Sequence, residues 1–250
     1  MDSNGKITMV GLGPGPSAYM TGRCIKAIRE CDVVVGYSNY VKYITGLIEN
    51  KEVFSTGMRH ELERAEKAVE LALTGKNVAV ISSGDSGVFG MAAPILESLS
   101  KRDHHLDVEI IPGVPSPQSV AALLGAPLAN DYAVISLSDI LTPWPQIARR
   151  LTLASKGDFA IVLMNPASSR RTWQFKKACD LILKYRKPET PVGVVKNAYR
   201  PGQRVLVTEL RLLSDQIIDM HTTVIIGNSS TYRHNNYLIT PRGYQPHLPG

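Results

Sequence analysis

Three loops carry the residue types best suited to chemistry. The first, GLGPGP at 11–16, directly follows a β-branched run. A dinucleotide fingerprint needs G-x-G-x-x-G, so that backbone can approach a pyrophosphate at a helix N-terminus. Here Pro16 occupies the third glycine's place, and Pro14 removes an N–H donor from the loop. Asp32 lies at the distance of the fingerprint's ribose-binding acid, but it precedes its strand instead of following it. The segment therefore reads as a tight turn at the carboxyl end of a strand, open to ligand contact and unlike a dinucleotide site.

The second loop is SSGDSGVFG at 82–90, again after an apolar β-branched run. Glycines at 84, 87 and 90 let backbone come close to a ligand, and Asp85 can accept hydrogen bonds from ligand hydroxyl or amine groups. The same residues also make a plain strand-to-helix turn capped by Asp85 or Ser86. GDSG resembles the nucleophile motif of some serine hydrolases; a Ser86 nucleophile would need a base from elsewhere in the chain. The third loop, NPASSRR at 165–171, brings Arg170 and Arg171 together. Paired guanidinium groups suit bidentate recognition of carboxylate or phosphate; two exposed arginines in a helix's first turn are the plainer alternative. Asp139 and Asp219 each fall near a strand end, in capping or functional positions. The histidines show no zinc spacing, and His104–His105 lies in a charged stretch that reads as a solvated loop.

Alternating strands and helices must position these loops. Segments 6–10, 32–35, 77–82 and 107–111 read as strands in the first half. A helix is predicted over 61–73, with Leu62, Ala65, Val69 and Ala72 on its apolar face, a Glu63–Lys67 pair four apart, and Gly75 as its stop. The second half restarts the alternation with strands at 132–137, 159–163, 191–196, 205–208, 223–226 and 237–240. A helix is expected at about 168–185. The last strands are close together, which predicts a mixed or partly antiparallel second sheet. The fold class is α/β, two α/β units in series, with the boundary placed near 128–131 to give domains 1–129 and 130–250.

The chain has 250 residues, 44% of them hydrophobic and 20% charged, which excludes a wholly disordered polymer. Three scattered cysteines with no CxxC exclude a disulfide framework and point to a reducing cytoplasm. The start shows no signal-peptide pattern, and the uncharged run 110–130 is broken by four prolines, so no membrane span is expected. Lys plus Arg exceed Asp plus Glu by 28 − 22 = 6. That surplus favours an anionic partner. The absence of a basic stripe or an aromatic stacking pattern argues against a nucleic-acid or nucleotide-binding module, which is kept as the alternative of another class.

In order along the chain, VGLGPGP, SSGDSGVFGMA, IIPGV, LLGAPLAND, ISLSDILTPW, VLMNPASSRR, TPVGVVKNA, VIIGNSSTY and TPRGY together strongly resemble the class III tetrapyrrole methyltransferases. ISLSDILTPW and VIIGNSSTY resemble the C17-methyltransferases of cobalamin biosynthesis, and LTPW is closer to the cobalt-dependent branch. The resemblance implies two α/β/α domains with the site in the cleft between them. It implies a homodimer that uses S-adenosylmethionine, releasing S-adenosylhomocysteine. Its substrate would be a polycarboxylate tetrapyrrole, cobalt-precorrin-3, methylated at C17 with contraction of the macrocycle. A metal-free precorrin-3B or a different carbon is the alternative within the family. By position, Pro14, Ser83, Gly84, Asp85, Val88, Ser116, Pro117, Met164, Ala198 and Gly227 would bind the cofactor, and Arg170 and Arg171 the substrate. Pro117 departs from the family's usual Thr-Ala after PGV, and Met164 stands where relatives of this branch often carry Tyr. No protein-held metal is implied, and proton handling is assigned to no residue, Asp85 and Asp139 being the nearest guesses.

Overall fold

The computed structural model describes residues 5–102, 105–168 and 171–244. Packing divides the chain into two compact units, Met1–Ser116 and Pro117–Gly250. In the first unit, β1 (Lys6–Gly11), α1 (Gly22–Glu30), β2 (Val33–Tyr37), α2 (Ser38–Val41), β3 (Glu52–Thr56), α3 (Glu61–Leu73), β4 (Val78–Ser82), α4 (Ala92–Leu99) and β5 (Asp107–Ile111) follow in order. The five strands form one all-parallel sheet in the order β3-β2-β4-β1-β5. Both faces are covered, as a parallel sheet requires. Ile7, Met9, Val33, Val35, Val78 and Val80 pack toward α3 and α4, while Val10, Val34, Ala79 and Ile81 pack toward α1. All the strands run the same way, so the loops after β1, β2, β3, β4 and β5 leave from one edge.

Helix α3 has the predicted span, but Leu62 is 71% exposed and Ala68 takes its place in the core. The expected Glu63–Lys67 pair does not form: Glu63 meets His60 at 2.6 Å and Lys67 meets Glu70 at 3.4 Å. Strand β3 escapes the sequence pattern because it is an edge strand whose side chains are mostly exposed, leaving no apolar alternation.

Helix α5 (Ser116–Leu124) begins at the last residue of the first unit and carries the chain into the second, where β6 (Gly125–Ala126) follows. Then come β7 (Tyr132–Ser136), α6 (Trp144–Lys156), β8 (Ala160–Met164), α7 (Trp173–Leu183), β9 (Pro191–Lys196), β10 (Arg204–Glu209), β11 (Thr222–Ile226), β12 (Tyr232–His234) and β13 (Tyr237–Ile239). Residues 117–129, placed with the first unit on sequence grounds, pack here: Val120 and Leu124 share a core with Val162, Val195, Ile225 and Leu238. The main sheet has the order β10-β9-β11-β8-β7. It is mixed, as expected: β7 and β8 are parallel, whereas β11 runs against both its neighbours and β10 against β9. A small sheet of β12, β13 and β6 stands beside it.

At the end of this sheet where β8 begins, the buried Arg186 donates to the carbonyls of Phe159, at 2.8 Å, and Ala154, at 3.4 Å, and pairs with Asp158. Asp158 in turn accepts from Ser229 N at 3.0 Å. One cation thus ties together the ends of α6 and α7 and the turn after β11. Removing one member of a buried pair costs several kcal/mol, and Asp158 is half-exposed, which reduces that. Arg186→Ala is expected to lower stability by about 2–3 kcal/mol and Tm by about 5–10 °C. A thermal melt within 1–2 °C of wild type would show that Arg186 is no strut.

The three thiols are free and buried. Burial pushes Cys24 up to about 11 and Cys179 up to about 12, and raises Cys31 as well. They are packing residues with little thiolate character. Among the described residues no helix is long and apolar enough to cross a membrane.

Candidate cofactor site

In the first unit the loops after β1, β4 and β5 are locked to one another by backbone. Leu12 N donates to Ser82 O at 2.8 Å, Gly13 N to Gly84 O at 3.0 Å, and Gly84 N to Gly13 O at 2.8 Å. A Cβ at Gly113 would lie 2.2 Å from Gly84 O and 2.6 Å from Gly11 O, and one at Gly11 would lie 2.6 Å from Gly113 N. Only glycine allows three backbones so close. Gly13 and Gly84 also hold the left-handed conformation, both with φ +68°.

Asp85 clamps this arrangement. Its Oδ1 accepts from Gly87 N at 2.8 Å and its Oδ2 from Gly113 N at 2.9 Å. The first bond is a turn within its own loop, and the second reaches across to the loop after β5. Ser82 Oγ accepts from Met91 N at 3.1 Å and so starts the approach to α4. Ser86 is fully buried with an unpartnered Oγ, which removes the hydrolase reading: a nucleophile must meet its substrate. Beyond it Val88 and Phe89 are exposed, Phe89 in the left-handed region at φ +55°. Such strain in a residue with a Cβ is held in place by surrounding structure and clusters at functional sites.

Thus Pro14, Ser83, Gly84, Asp85 and Val88 come together at one sheet edge. Ser116 joins them: the Cβ position of Gly84 is 3.6 Å from its N. Pro117 sits at the second position of α5, where the helix makes no use of an N–H, so this departure costs the helix nothing. The Gly113 contacts were not foreseen; the signal was the glycine of IIPGV following a strand.

In the second unit, Met164 ends β8, with Ser136 at the matching position of β7. Thr223 Oγ1 donates to Met164 Sδ at 3.8 Å. Thr223 was not singled out from the sequence; the antiparallel direction of β11 brings that strand's amino end to this edge, beside Met164. Ala198 follows β9 at the same edge, between Asn197 and Tyr199, both left-handed at φ +52° and +59°. Asn165, at φ +49°, donates from Nδ2 to Ser136 Oγ at 3.1 Å.

Gly227 is not brought to this edge. It follows β11, and its N donates to Pro191 O at 2.9 Å, where β9 begins. The length of β11, about 16 Å, separates it from Ala198 and Met164. Its glycine has a local cause, since a Cβ would lie 2.5 Å from Thr231 Cβ.

Arg171 also differs from expectation. It is buried, ahead of α7, and its Nη1 donates to Leu137 O at 3.2 Å and Asn165 O at 3.0 Å. It braces the loops after β7 and β8, and its guanidinium is turned inward. Asp139 accepts from Gln174 Nε2 at 2.9 Å in the same brace. Asp219 accepts from Lys196 Nζ at 2.6 Å, Thr222 Oγ1 at 2.9 Å and His221 N at 2.9 Å, a capping role. Asp32 Oδ2 accepts from Asn77 N at 2.7 Å and joins β2 to β4. Arg170 and His104 lie outside the described residues.

Residues 6–213 match the family described as tetrapyrrole (corrin/porphyrin) methylases. A "Probable cobalt-factor III C(17)-methyltransferase" of Salmonella typhimurium is 43% identical over 238 residues, covering 95% of this chain and 99% of that protein. A "Cobalt-factor III methyltransferase" of Priestia megaterium is 47% identical over 245 residues, covering 96% of this chain; this chain spans 45% of that longer protein. Among solved structures, "the methyltransferase CobJ" superposes with a TM-score of 0.89 at 36% identity, covering 95% of this chain and 100% of that one.

Proposed function

This chain belongs to the tetrapyrrole methylase family, and from that premise we propose that it is an S-adenosylmethionine-dependent C-methyltransferase of cobalamin biosynthesis. Its substrate is a cobalt-containing tetrapyrrole, cobalt-precorrin-3 or cobalt-factor III, methylated at C17 with contraction of the macrocycle. The observation that carries this reading is a full-length relative of that name, aligned over nearly all of both chains. The glycine-locked loops supply a fitting receptacle. At Gly84 and Gly113 side chains are absent where backbones converge, and Ser83 and Asp85 stand half-buried beside them.

When bound, S-adenosylmethionine supplies a methyl group already activated on a sulfonium. The protein is therefore asked for position more than for acid catalysis. Holding donor and carbon nucleophile at near-attack distance supplies roughly 7–11 kcal/mol of the barrier, which a rigid three-loop frame is suited to do. Asp85 keeps that frame closed, and Ser83, Gly84 and Val88 line it. Within the second unit, Met164, Thr223 and Ala198 share one sheet edge, an apolar group around one hydroxyl. Arg171 holds the two loops that flank Met164. We carry the homodimer and the cytoplasmic location over from the resemblance. Three free, buried thiols support a reducing compartment.

The test is an anaerobic incubation with S-adenosylmethionine carrying a ¹³C-labelled methyl group, run in parallel with the cobalt substrate and its metal-free analogue. One added methyl by mass spectrometry, located at C17 by carbon NMR and formed only with cobalt present, is the expected result. A methyl at another carbon would move the enzyme to a sibling step. No transfer and no binding of S-adenosylhomocysteine would overturn the reading.

A further inference from the structure

The carboxyl ends of β2 and β3 leave from the same edge of the first sheet as the Ser83–Asp85 loop, since β4 pairs with β2 in parallel. The cofactor reading makes no use of them. Two features there are built with some care. Ser38 Oγ donates to Thr56 O at 3.0 Å, joining the start of α2 to the end of β3. From below, Arg64, whose side chain is 4% exposed, donates through Nη1 to Thr56 Oγ1 at 2.7 Å and Gly57 O at 2.8 Å. The turn held in this way presents Arg59 to solvent in the left-handed region at φ +67°. Among the described residues Arg59 has no hydrogen bond or ion pair. A strained backbone supported by a buried cation, displaying a free guanidinium, is an arrangement that needs a reason.

At the same edge, after β2, Lys42 caps the C-terminus of α2. Its Nζ donates to Asn39 Oδ1 at 3.0 Å, and Asn39 Nδ2 donates to Tyr37 Oη at 2.8 Å. Tyr37 stands edge-on to Tyr40 at 5.0 Å, and Tyr40 stacks with Tyr43 at 6.3 Å. Neither 37–48 nor 53–60 contains an acidic residue. Just past the second segment, Glu61 is engaged with Arg64 and Glu63 with His60. The edge thus offers two positive charges without counter-charges beside a rigid aromatic face.

We propose that Lys42 and Arg59, with the ring of Tyr37, form a subsite that reads the carboxylates of the tetrapyrrole substrate and sets its position relative to the cofactor loops. The inference rests on the proposed function for the identity of the substrate. Its chemistry is more general: a flat conjugated ligand bordered by carboxylates. Guanidinium and ammonium groups bind the rim, and the tyrosine adds contact with the face.

Uroporphyrin III, a tetrapyrrole octacarboxylate, is the probe. Its fluorescence would be titrated with the full chain, wild type and the double variant Lys42→Ala, Arg59→Ala. The expected result is at least tenfold weaker binding in the variant, with S-adenosylhomocysteine affinity by calorimetry unchanged within twofold. Turnover should show a raised KM with kcat retained, and Arg59→Lys should recover part of the porphyrin affinity. The double variant Lys26→Ala, Lys67→Ala removes the same charge from exposed faces of α1 and α3. Equal weakening in that control would reduce the effect to net charge and overturn the subsite, as would unchanged binding in the first variant. Wild type that binds porphyrin through these residues yet transfers no methyl would sink the proposed function while leaving the subsite standing.

Discussion

Replacing Asp85 with asparagine is expected to weaken S-adenosylhomocysteine binding by about 10- to 100-fold, because it opens a clamp between two loops. Both carboxylate oxygens accept from backbone, Oδ1 from Gly87 N and Oδ2 from Gly113 N. Asparagine keeps the shape but has one acceptor oxygen, so its NH2 must face one of those N–H groups. A hydrogen bond to a charged group is worth about 1.5–3 kcal/mol, and an unsatisfied donor adds to the loss. At about 1.4 kcal/mol per factor of ten, that range gives the stated loss of affinity if the frame must be closed to bind. Thermal stability should fall at the same time, since the loops are tied without ligand. A direct contact alone would lower affinity and leave the ligand-free melt where it was. Calorimetry together with melts of the ligand-free protein separates the two. An asparagine variant with wild-type affinity and wild-type Tm would dismiss Asp85 as a clamp.

The sequence was most informative where a residue's role follows from local chemistry. The span of α3, the strand at 107–111 and the mixed character of the second sheet could all be read from periodicity and turn residues. The loops after β1 and β4 were recognisable because glycines after an apolar run have few other uses. What escaped depends on partners distant in the chain. Gly227 looks like a ligand glycine until the antiparallel direction of β11 puts it at the far end of the sheet, against Thr231. Arg171 resembles a surface carboxylate binder, yet its guanidinium is inserted between two carbonyls that no spacing rule connects to it. Leu62 fits the apolar stripe of α3, but the buried Arg64 lies near it in sequence and has a task under the loop at 57–60. In each case a polar or glycine residue serves backbone geometry, which composition does not record.

The same point yields the largest stability effect expected here, for Gly113→Ala. The added methyl would meet Gly84 O at 2.2 Å and Gly11 O at 2.6 Å, backbone atoms on two sides. A flexible side chain could turn away; these carbonyls cannot. The Gly11 loop is pinned to β4 by Leu12 N to Ser82 O, and Gly84 is paired both ways with Gly13. Overpacking costs about 1–3 kcal/mol where neighbours can shift and more where they cannot. Displacing Gly113 also strains its N–H bond to Asp85, worth about another 1.5–3 kcal/mol. Together these predict a loss of about 4–6 kcal/mol, a fall in Tm of about 10–20 °C, and no measurable cofactor binding. Gly46→Ala is the matched control, since a Cβ there meets nothing within 4 Å. With fewer unfolded conformations to lose, that variant should melt at or slightly above wild type. A Gly113 variant that behaved like the Gly46 variant would mean that the three loops yield freely. The positioning role assigned to their rigidity would then fall.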